Sequence, residues 1–427
     1  MGSIDRPPLG TAEVIAVGSE LLGSTRLDTN SLFLAGRLGD LGVDLRAKSV
    51  VGDDRIRLRD VFLGALSRAD LVILTGGLGP TDDDLTREVV SDALGLPMSE
   101  QATIVAQLEA RFARRGLRMP DVNRRQAMVP QGAQVLDNPN GTAPGLMIEH
   151  DARVVVLLPG PPRELQPMFD ALCRTSLATR TGQLKIYRET LFVAGRGESH
   201  VEELAQPIYS RWTKDSPPIE TTILAMPGQV ELHLSLRSVS DAGAARLRAA
   251  RDELVGVLGR DIFSTDGRSM EEVVGDLLRE RGFTISAAES CTGGLLMTRL
   301  TDVPGSSAYV LGGAVTYSNQ LKTVLADVPV HLIEAHGAVS EPVAVALADG
   351  IRARTGASFG IGITGIAGPG GATADKPVGT VAIALTGNGL PASVRTFSFI
   401  GGRPQVRFQA TQAALDMVRR TLEDNNP

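Results

Sequence analysis

Three short segments in the C-terminal third of the chain combine a potentially reactive side chain with glycines or small residues. Each follows an apolar stretch that predicts a buried β-strand, and the carboxyl ends of parallel strands meet at one edge of a sheet. We therefore expect a serine, a lysine and a threonine to lie close together at that edge. The segments are Glu289-Ser290-Cys291-Thr292-Gly293-Gly294, Tyr317-Ser318-Asn319-Gln320-Leu321-Lys322 and Thr364-Gly365-Ile366-Ala367-Gly368-Pro369.

Ser290 stands where a predicted strand ends and a helix begins, which places it near the helix N-cap. Backbone N–H groups at such a junction can hold a phosphate or a developing oxyanion, although a serine that only caps the helix is the common alternative. Cys291 is a second candidate nucleophile, but the role of a small buried residue is favoured for a lone cysteine. Lys322 follows the next strand, and most lysines are solvated surface charges.

A glycine-rich segment followed by adjacent carboxylates lies in the N-terminal part of the chain. Thr75–Thr81 directly follows the apolar stretch Leu71–Leu74, and Asp82, Asp83 and Asp84 come next. A glycine loop can present N–H groups to a pyrophosphate, and neighbouring carboxylates suit a divalent cation that bridges phosphate oxygens. The alternative is a helix N-terminus enriched in acidic residues, which the helix dipole favours.

The elements that must position these residues predict an α/β protein: two α/β sandwich domains with mainly parallel sheets, joined by a small α+β middle domain. We predict a flexible tail at 1–10, sandwich domains at 11–180 and 264–427, and the middle domain at 181–260. Residues 261–267 are predicted to be a connector leading to a helix N-cap at Ser269. Strands are predicted at 12–17, 44–51, 71–74, 229–237, 283–288, 309–316, 359–363 and 378–385, and helices at 30–41, 54–67, 199–212, 242–258, 269–281, 341–354 and 405–422.

Composition excludes several classes of protein. Hydrophobic residues at 43% and charged residues at 22% are typical of a folded chain and not of a disordered one. The net charge of −6 argues against a general nucleic-acid surface. No apolar run approaches the roughly 18 residues of a membrane helix. Two cysteines make no disulfide framework and the five histidines form no zinc signature, so we predict a cytoplasmic protein without membrane association.

The motifs of both sandwich domains resemble one known family over the whole chain. Residues 265–427 resemble the CinA C-terminal domain, the family of nicotinamide mononucleotide deamidases, and the first domain resembles the molybdopterin-binding-like domain that precedes it in full-length CinA proteins. The C-terminal matches are residues 288–294, 316–319 with Lys322, 337–341, 364–369 and 376–380. The N-terminal matches are residues 18–22, 28–30, 75–86, 140–145 and 159–162 with Glu164.

For the C-terminal domain, the resemblance implies hydrolysis of the carboxamide of nicotinamide mononucleotide, without a cofactor. Ser290 maps onto the family's nucleophile and Lys322 onto its base, with Tyr317, Thr364 and Arg403 as further site residues. A lysine acts as a base only when neutral, so the pocket must lower its pKa. Tyr317 is expected to relay or orient protons, Thr364 to support the oxyanion or the lysine, and Arg403 to bind the nucleotide phosphate. Further substrate contacts are expected at Thr292, Gly293, Gly294 and Gly365.

For the N-terminal domain, the resemblance implies a pyrophosphatase acting on ADP-ribose or a related NAD-like dinucleotide with a divalent metal (Mg, Mn or Co). Asp83 and Asp84 occupy the family's paired acidic positions, whereas Asp82 falls at a variable one. The family also implies a homodimer. The expected substrate contacts are Gly76, Gly77, Gly79, Thr81, Asn30, Asn140, Thr142, Glu164 and Glu20.

Two other functions are weighed against this bifunctional hydrolase. One is a non-catalytic partner-binding protein of DNA uptake or repair, which would have no need for Ser290, Tyr317, Lys322 and Thr364 together. The other is a molybdopterin-handling protein, which the fused deamidase-like domain disfavours. Each sandwich domain carries its own site residues, so we also predict that a cut near 259–267 separates the two activities.

Overall fold

A computed structural model describes residues 8–182, 184–387 and 389–424, so most of the predicted tail at 1–10 lies outside the described residues. Contacts divide the chain into two compact units: Met1–Tyr187 with Arg237–Gly243, and Arg188–Leu236 with Ala244–Pro427. This division differs from the three predicted domains, because most of the middle segment packs within the second unit. No helix in the described ranges has the length and apolarity needed to cross a bilayer.

The first unit is built on a six-stranded sheet in the order β2-β1-β3-β8-β7-β6. β2, β1, β3 and β8 are parallel, β7 runs antiparallel to β8, and β6 runs antiparallel to β7. Buried apolar clusters cover both faces of the sheet, as continuous apolar strands require. The elements are β1 Thr11–Val17, α1 Asn30–Asp40, β2 Asp44–Val51, α2 Arg55–Arg68, β3 Leu71–Thr75, α3 Thr86–Leu94, β4 Met98–Glu100, α4 Ala102–Ala113, β5 Met128–Pro130, β6 Gln134–Leu136, β7 Gly145–His150, β8 Arg153–Leu158 and α5 Pro162–Leu172.

The middle segment forms a four-stranded sheet in the order β10-β11-β9-β12. β11 alternates buried and half-buried positions, which confirms the predicted strand with one wetter face. The predicted connector is wrong at 262–264, where the chain pairs antiparallel with β9 and buries Phe263. The elements are β9 Lys185–Ala194, α6 Glu198–Trp212, β10 Ile219–Met226, β11 Gln229–Ser238, α7 Ala242–Leu258 and β12 Ile262–Ser264.

The C-terminal part of the second unit is a five-stranded sheet in the order β14-β13-β15-β16-β17. β14, β13 and β15 are parallel, β16 runs antiparallel to β15, and β17 runs antiparallel to β16. The elements are α8 Met270–Glu280, β13 Ile285–Glu289, α9 Leu295–Asp302, β14 Val310–Val315, α10 Asn319–Ala326, α11 Val330–His336, α12 Glu341–Thr355, β15 Phe359–Gly365, β16 Thr380–Gly387, β17 Leu390–Ser398 and α13 Arg403–Asp424.

Local sequence explains how the helices of this sheet are fixed. Ser269 and Glu272 form a reciprocal capping box at the start of α8, which confirms the predicted N-cap. On β15, a Cβ at Gly360 or Gly362 would lie 2.1 Å from a backbone oxygen of α12. The two glycines therefore let α12 pack directly on the strand that leads to Thr364.

Candidate active sites

Ser290 and Lys322 meet at the carboxyl ends of β13 and β14. Lys322 Nζ lies 3.2 Å from Ser290 Oγ, and the two side chains belong to residues that are 2% and 7% exposed. β13 and β14 are adjacent and parallel, so the loops that follow them share one edge of the sheet. The sequence-based expectation that these two residues lie together is met by the geometry.

The environment of Lys322 shifts its protonation equilibrium towards the neutral amine. Its ammonium nitrogen contacts the Thr316 carbonyl oxygen at 3.1 Å and the Ser290 hydroxyl, and neither group carries a negative charge. Burial lowers the pKa of Lys322 below its ordinary value. A neutral amine can donate to the carbonyl and still accept a proton from the serine hydroxyl.

Gly294 is the N-cap of the helix that follows Ser290, so the alternative that Ser290 only caps this helix is wrong. The helix α9 begins at Leu295, and the positive φ angles of Gly293 and Gly294 turn the chain before it. The buried Glu289 carboxylate occupies the start of α9 instead, accepting from the N–H groups of Gly294, Leu296 and Met297 at 3.0–3.1 Å. The helix terminus is therefore filled by this side chain and does not itself offer a phosphate site.

Cys291 is not suited to be the nucleophile. The residue is 5% exposed, and burial raises the pKa of its thiol to about 11. A thiol with so high a pKa stays protonated at neutral pH and is a poor nucleophile. The expectation of a small buried residue is therefore confirmed.

Tyr317, Arg403 and Thr364 belong to three different segments, and Tyr317 and Thr364 each directly follow a residue that contacts the pair. Arg403 donates to the Tyr317 hydroxyl and to the Gly368 carbonyl, both at 2.9 Å. Thr364 Oγ1 donates to the Ala338 carbonyl at 2.7 Å and thereby holds the loop before α12. The described contacts of Thr364 do not include Lys322. Tyr317 is 58% exposed, so it lies at the rim of the site.

The remaining predicted contacts of this site, Thr292 to Gly294 and Gly365, belong to the backbone framework. Thr292 is fully buried, and a Cβ on Gly365 would lie 2.6 Å from the Val381 side chain. We call residues 290–294 the nucleophile turn. Two residues that hold this turn lacked a predicted role: Glu289, and Arg407, whose guanidinium donates to the Thr292 carbonyl. Arg407 follows Arg403 by one helical turn, a spacing that could have revealed it.

In the first unit, the loops after β1, β3 and β8 come together. A Cβ on Gly76 would lie 2.2 Å from the Val17 carbonyl oxygen, and one on Gly160 would lie 3.6 Å from the Gly76 Cα. Asn30 Nδ2 donates to the Gly160 carbonyl at 2.7 Å, and Asn30 Oδ1 is buried without a partner. The predicted glycine loop therefore lies where the carboxyl ends of parallel strands converge. We call residues 76–84 the glycine loop.

The Asp84 carboxylate shapes the glycine loop from within. Its oxygens accept from the N–H groups of Gly79 and Thr81 at 2.7 and 2.9 Å, and from the Thr81 hydroxyl. These two N–H groups are therefore already paired and are not free to cradle a pyrophosphate. Asp82 pairs with Arg125 at 2.7 Å. Asp83 is exposed, and hydrogen bonds from the Thr81 side chain and from the Asp83 backbone lower the pKa of its carboxyl group. A Cβ on Gly77 would lie 2.2 Å from the Thr86 hydroxyl oxygen, so only a glycine fits beside Thr86.

The other predicted contacts of the first unit fall into two groups. Glu164 joins the glycine-rich segment at 138–142, because its carboxylate accepts from Asn138 at 2.8 Å and leaves no room for a Cβ on Gly141. In the same segment Asn140 donates to the Arg163 carbonyl and Thr142 accepts from Gln126. Glu20 lies in a short 3-10 helix, Ser19–Leu22, that follows β1.

The carboxylates of the glycine loop do not form a closed metal cage. Among the described residues, no group of three or more His, Cys, Asp or Glu side chains is placed to hold a metal ion. Asp84 is committed to the loop, and Asp83 is the exposed carboxylate beside it. Mg²⁺ commonly takes one or two carboxylates and completes its shell with substrate phosphates and water. The residues present therefore fit an ion that arrives with a phosphorylated substrate.

Comparison with known proteins agrees with this two-part organisation. The sequence pattern of the "CinA C-terminal domain" matches residues 267–422, and that of the "Probable molybdopterin binding domain" matches residues 13–179. A CinA-like protein of Koribacter versatilis (strain Ellin345) is 49% identical, over 96% of this chain and 99% of that protein. A CinA-like protein of Acidobacterium capsulatum is 46% identical, over 96% of this chain and 99% of its own length.

Among solved structures, a competence/damage inducible protein from Agrobacterium tumefaciens is 36% identical to this chain. It covers 36% of this chain and 93% of its own, with a TM-score of 0.35. The family assignment rests on the full-length relatives, because they share nearly half of their residues with this chain from end to end. With a molybdopterin-binding-like domain in its first unit and a CinA C-terminal domain in its second, the chain belongs to the CinA family.

Proposed function

We propose that the second unit hydrolyses the carboxamide of nicotinamide mononucleotide to nicotinate mononucleotide and ammonia. The observation that carries this proposal is the contact of 3.2 Å between Lys322 Nζ and Ser290 Oγ, in a pocket that buries both residues. A serine beside a desolvated lysine is a recognised arrangement for acyl transfer. The family resemblance supplies the substrate.

In the first half of the reaction, neutral Lys322 accepts the proton of the Ser290 hydroxyl while Oγ attacks the carboxamide carbon. The tetrahedral intermediate collapses when the protonated Lys322 returns that proton to the leaving nitrogen, and ammonia departs. The carboxamide carbon is then esterified to Ser290. The Thr316 carbonyl holds the Lys322 amine in place through both proton transfers.

In the second half, a water molecule loses a proton to Lys322 and attacks the ester carbon. Ser290 regains its proton from Lys322, and nicotinate mononucleotide leaves with a carboxylate in place of the amide. Arg403 uses two contacts to hold Tyr317 and Gly368 and has further N–H donors for the substrate phosphate. Because Arg403 holds Tyr317 at the exposed rim, Tyr317 orients the bound nucleotide in place of the expected role with protons.

The test is direct. Purified protein is incubated with nicotinamide mononucleotide, ammonia is measured with a coupled assay, and nicotinate mononucleotide is identified by mass spectrometry. Ser290→Ala prepared in parallel controls for contaminating amidases. Absence of ammonia release from the wild-type protein, with the fold verified by circular dichroism, contradicts the proposed deamidase.

We also propose that the first unit cleaves the pyrophosphate of ADP-ribose or a related NAD-like dinucleotide. This proposal is supported by three features that lie at one sheet edge: the glycine loop, the buried unpartnered Asn30 Oδ1 and the exposed Asp83. Asp83 would hold a divalent ion together with substrate oxygens. When bound, such an ion neutralises charge on the pyrophosphate.

The second activity is tested by following AMP release from ADP-ribose with and without added Mg²⁺, Mn²⁺ or Co²⁺. AMP that forms only with a divalent ion and disappears with a chelator supports the proposal. A protein that binds molybdopterin without cleaving ADP-ribose would instead support the molybdopterin-handling alternative. If the protein shows neither hydrolytic activity but binds a protein of DNA uptake or repair, the result would support the non-catalytic alternative.

A further inference from the structure

The long helix α13 contacts the nucleophile turn through Arg407. Its Nε and Nη2 atoms both donate to the Thr292 carbonyl oxygen, at 3.1 and 2.7 Å. Thr292 lies two residues after Ser290 and is fully buried. The same carbonyl accepts from the Leu295 N–H at 3.2 Å, so three donors fix the orientation of this peptide group.

Three of the five N–H groups of the nucleophile turn, those of Ser290, Gly293 and Gly294, already have an acceptor. The Ser290 N–H donates to the Ile363 carbonyl at 2.9 Å, and the Gly293 N–H donates to the Ser290 carbonyl at 3.1 Å. Glu289 binds the next free donors at the start of α9. Within the described residues, the Thr292 N–H has no protein acceptor, and the Cys291 N–H has only the sulfur of its own side chain.

These two N–H groups directly follow the nucleophile. In acyl transfer, negative charge develops on the carbonyl oxygen of the substrate, and donors already fixed at that position lower the barrier because they need no reorganisation. The residue after a nucleophilic serine supplies such an N–H in other serine hydrolases. A donor on a turn is useful only if the turn cannot rotate its peptide groups away.

We propose that Arg407 is a positioning residue that holds the nucleophile turn so that the N–H groups of Cys291 and Thr292 receive the oxyanion of the carboxamide. This inference rests on the proposed deamidation. Arg407 does not touch the reacting atoms in this assignment, and it acts through the Thr292 carbonyl. Its two parallel donors suit a guanidinium and cannot be reproduced by a lysine ammonium.

The experiment compares Arg407→Lys and Arg407→Ala with the wild-type full-length chain. The matched control is Arg248→Ala, which removes an exposed arginine from α7 without a described ion pair. We expect kcat for nicotinamide mononucleotide to fall about 100-fold in Arg407→Ala, the order of effect that a misplacement of about 1 Å produces. The kcat of Arg407→Lys should lie between that of Arg407→Ala and that of the wild-type protein. KM should change little, because the turn does not hold the substrate phosphate.

Two further measurements separate positioning from a general loss of stability. Guanidinium at millimolar concentration should restore part of the kcat of Arg407→Ala and none of the loss in Arg407→Lys, where the lysine fills the space. Sulfonylation of Ser290 by phenylmethylsulfonyl fluoride, mapped by peptide mass spectrometry, should slow in parallel with kcat. The melting temperature of each variant shows that the compared proteins are folded.

The outcomes are distinguishable. A rise in KM with unchanged kcat would overturn the inference, since Arg407 would then bind the substrate phosphate. Unchanged sulfonylation of Ser290 in Arg407→Ala would overturn it as well. If the wild-type chain labels at Ser290 but releases no ammonia, the proposed substrate fails, while the labelling rates of the Arg407 variants still decide the positioning role.

Discussion

The two candidate sites use their polar side chains differently. In the second unit, Lys322 contacts Ser290 directly, and surrounding residues hold the backbone on either side of this pair. In the first unit, the Asp84 carboxylate accepts hydrogen bonds from the backbone of its own glycine loop, and the exposed Asp83 faces solvent. One site is assembled before substrate arrives, and the other supplies a shaped loop with few free groups.

This difference follows from the chemistry proposed for each unit. A serine nucleophile needs a base within hydrogen-bonding distance and a dry environment that keeps the base neutral, both of which protein side chains can provide. Cleavage of a pyrophosphate needs charge neutralisation that an ion and the substrate oxygens bring with them. The first site should therefore depend on metal concentration, and the second should not.

The largest expected effect breaks the preassembled site. Ser290→Ala should lower ammonia release from nicotinamide mononucleotide by about 10³-fold or more, because no neighbouring group replaces the nucleophile. Lys322→Arg should lower the rate of ammonia release nearly as much, because a guanidinium cannot lose its proton at accessible pH. Lys214→Arg, in an exposed loop, is the matched control. Substantial ammonia release by Lys322→Arg would contradict the Ser–Lys mechanism.

The next largest effects are expected from substitutions of Asp83 and Asp84, which should change different properties of AMP release. Asp83→Asn should raise the metal concentration needed for AMP release from ADP-ribose by about 10–100-fold, because an amide is a weaker ligand. Asp84→Asn should lower the maximal rate at every metal concentration, since the loop loses an acceptor of its N–H groups.

Asp60→Asn, an exposed carboxylate on α2, serves as the control for this pair. Ammonia release should remain unchanged in all three variants and in the presence of a chelator. Identical metal titrations for Asp83→Asn and Asp84→Asn would show that the two carboxylates do not have distinct roles.

Much of the fold follows from apolar periodicity. β2 and α7 have the predicted bounds, and the other predicted strands and helices differ by a few residues at their ends. Two inner strands, β7 and β9, had no predicted bounds. Other strands that escaped prediction are short or lie at sheet edges: β12 has three residues, and the edge strand β17 mixes exposed polar residues with a proline. Such segments bury too little apolar surface to leave a clear pattern.

The sites show a different limit. Convergence of Ser290 and Lys322 could be predicted because parallel strands deliver their following loops to one edge. The contacts of Glu289 with the start of α9 and of Arg407 with the Thr292 carbonyl could not be predicted, because each depends on where the end of a long side chain lies. The same applies to Asp84, whose carboxylate turns back into its own loop.

A smaller effect is expected from pH. Burial lowers the pKa of Lys322, so below that pKa the amine is protonated and cannot accept the Ser290 proton. The kcat/KM for ammonia release should therefore rise about tenfold per pH unit on the acidic side and reach a plateau above the pKa. The midpoint should lie below the ordinary lysine pKa of about 10.4. A midpoint at or above that value would contradict a neutral Lys322 base.

The smallest expected effect on activity comes from cutting the chain. A fragment of residues 264–427 retains Ser290, Lys322 and Arg407 with their described contacts, so its kcat should stay within about twofold of the full chain, as expected for distant, uncoupled sites. The fragment 185–427 is the control, because it also keeps β9 and β12.

Stability should distinguish the two fragments even though their rates do not. The cut at 264 removes Asp261, which pairs with Arg420 at 2.9 Å, and the Arg260 carbonyl, which accepts from the buried Arg419 at 2.8 Å. It also removes Phe263 from the core that α13 shares. Breaking such a buried network costs about 3–5 kcal/mol, and each kcal/mol lowers the melting temperature by roughly 2–8 °C. Calorimetry of both fragments should show this difference, and equal melting temperatures would mean that the middle segment does not stabilise the helix that carries Arg407.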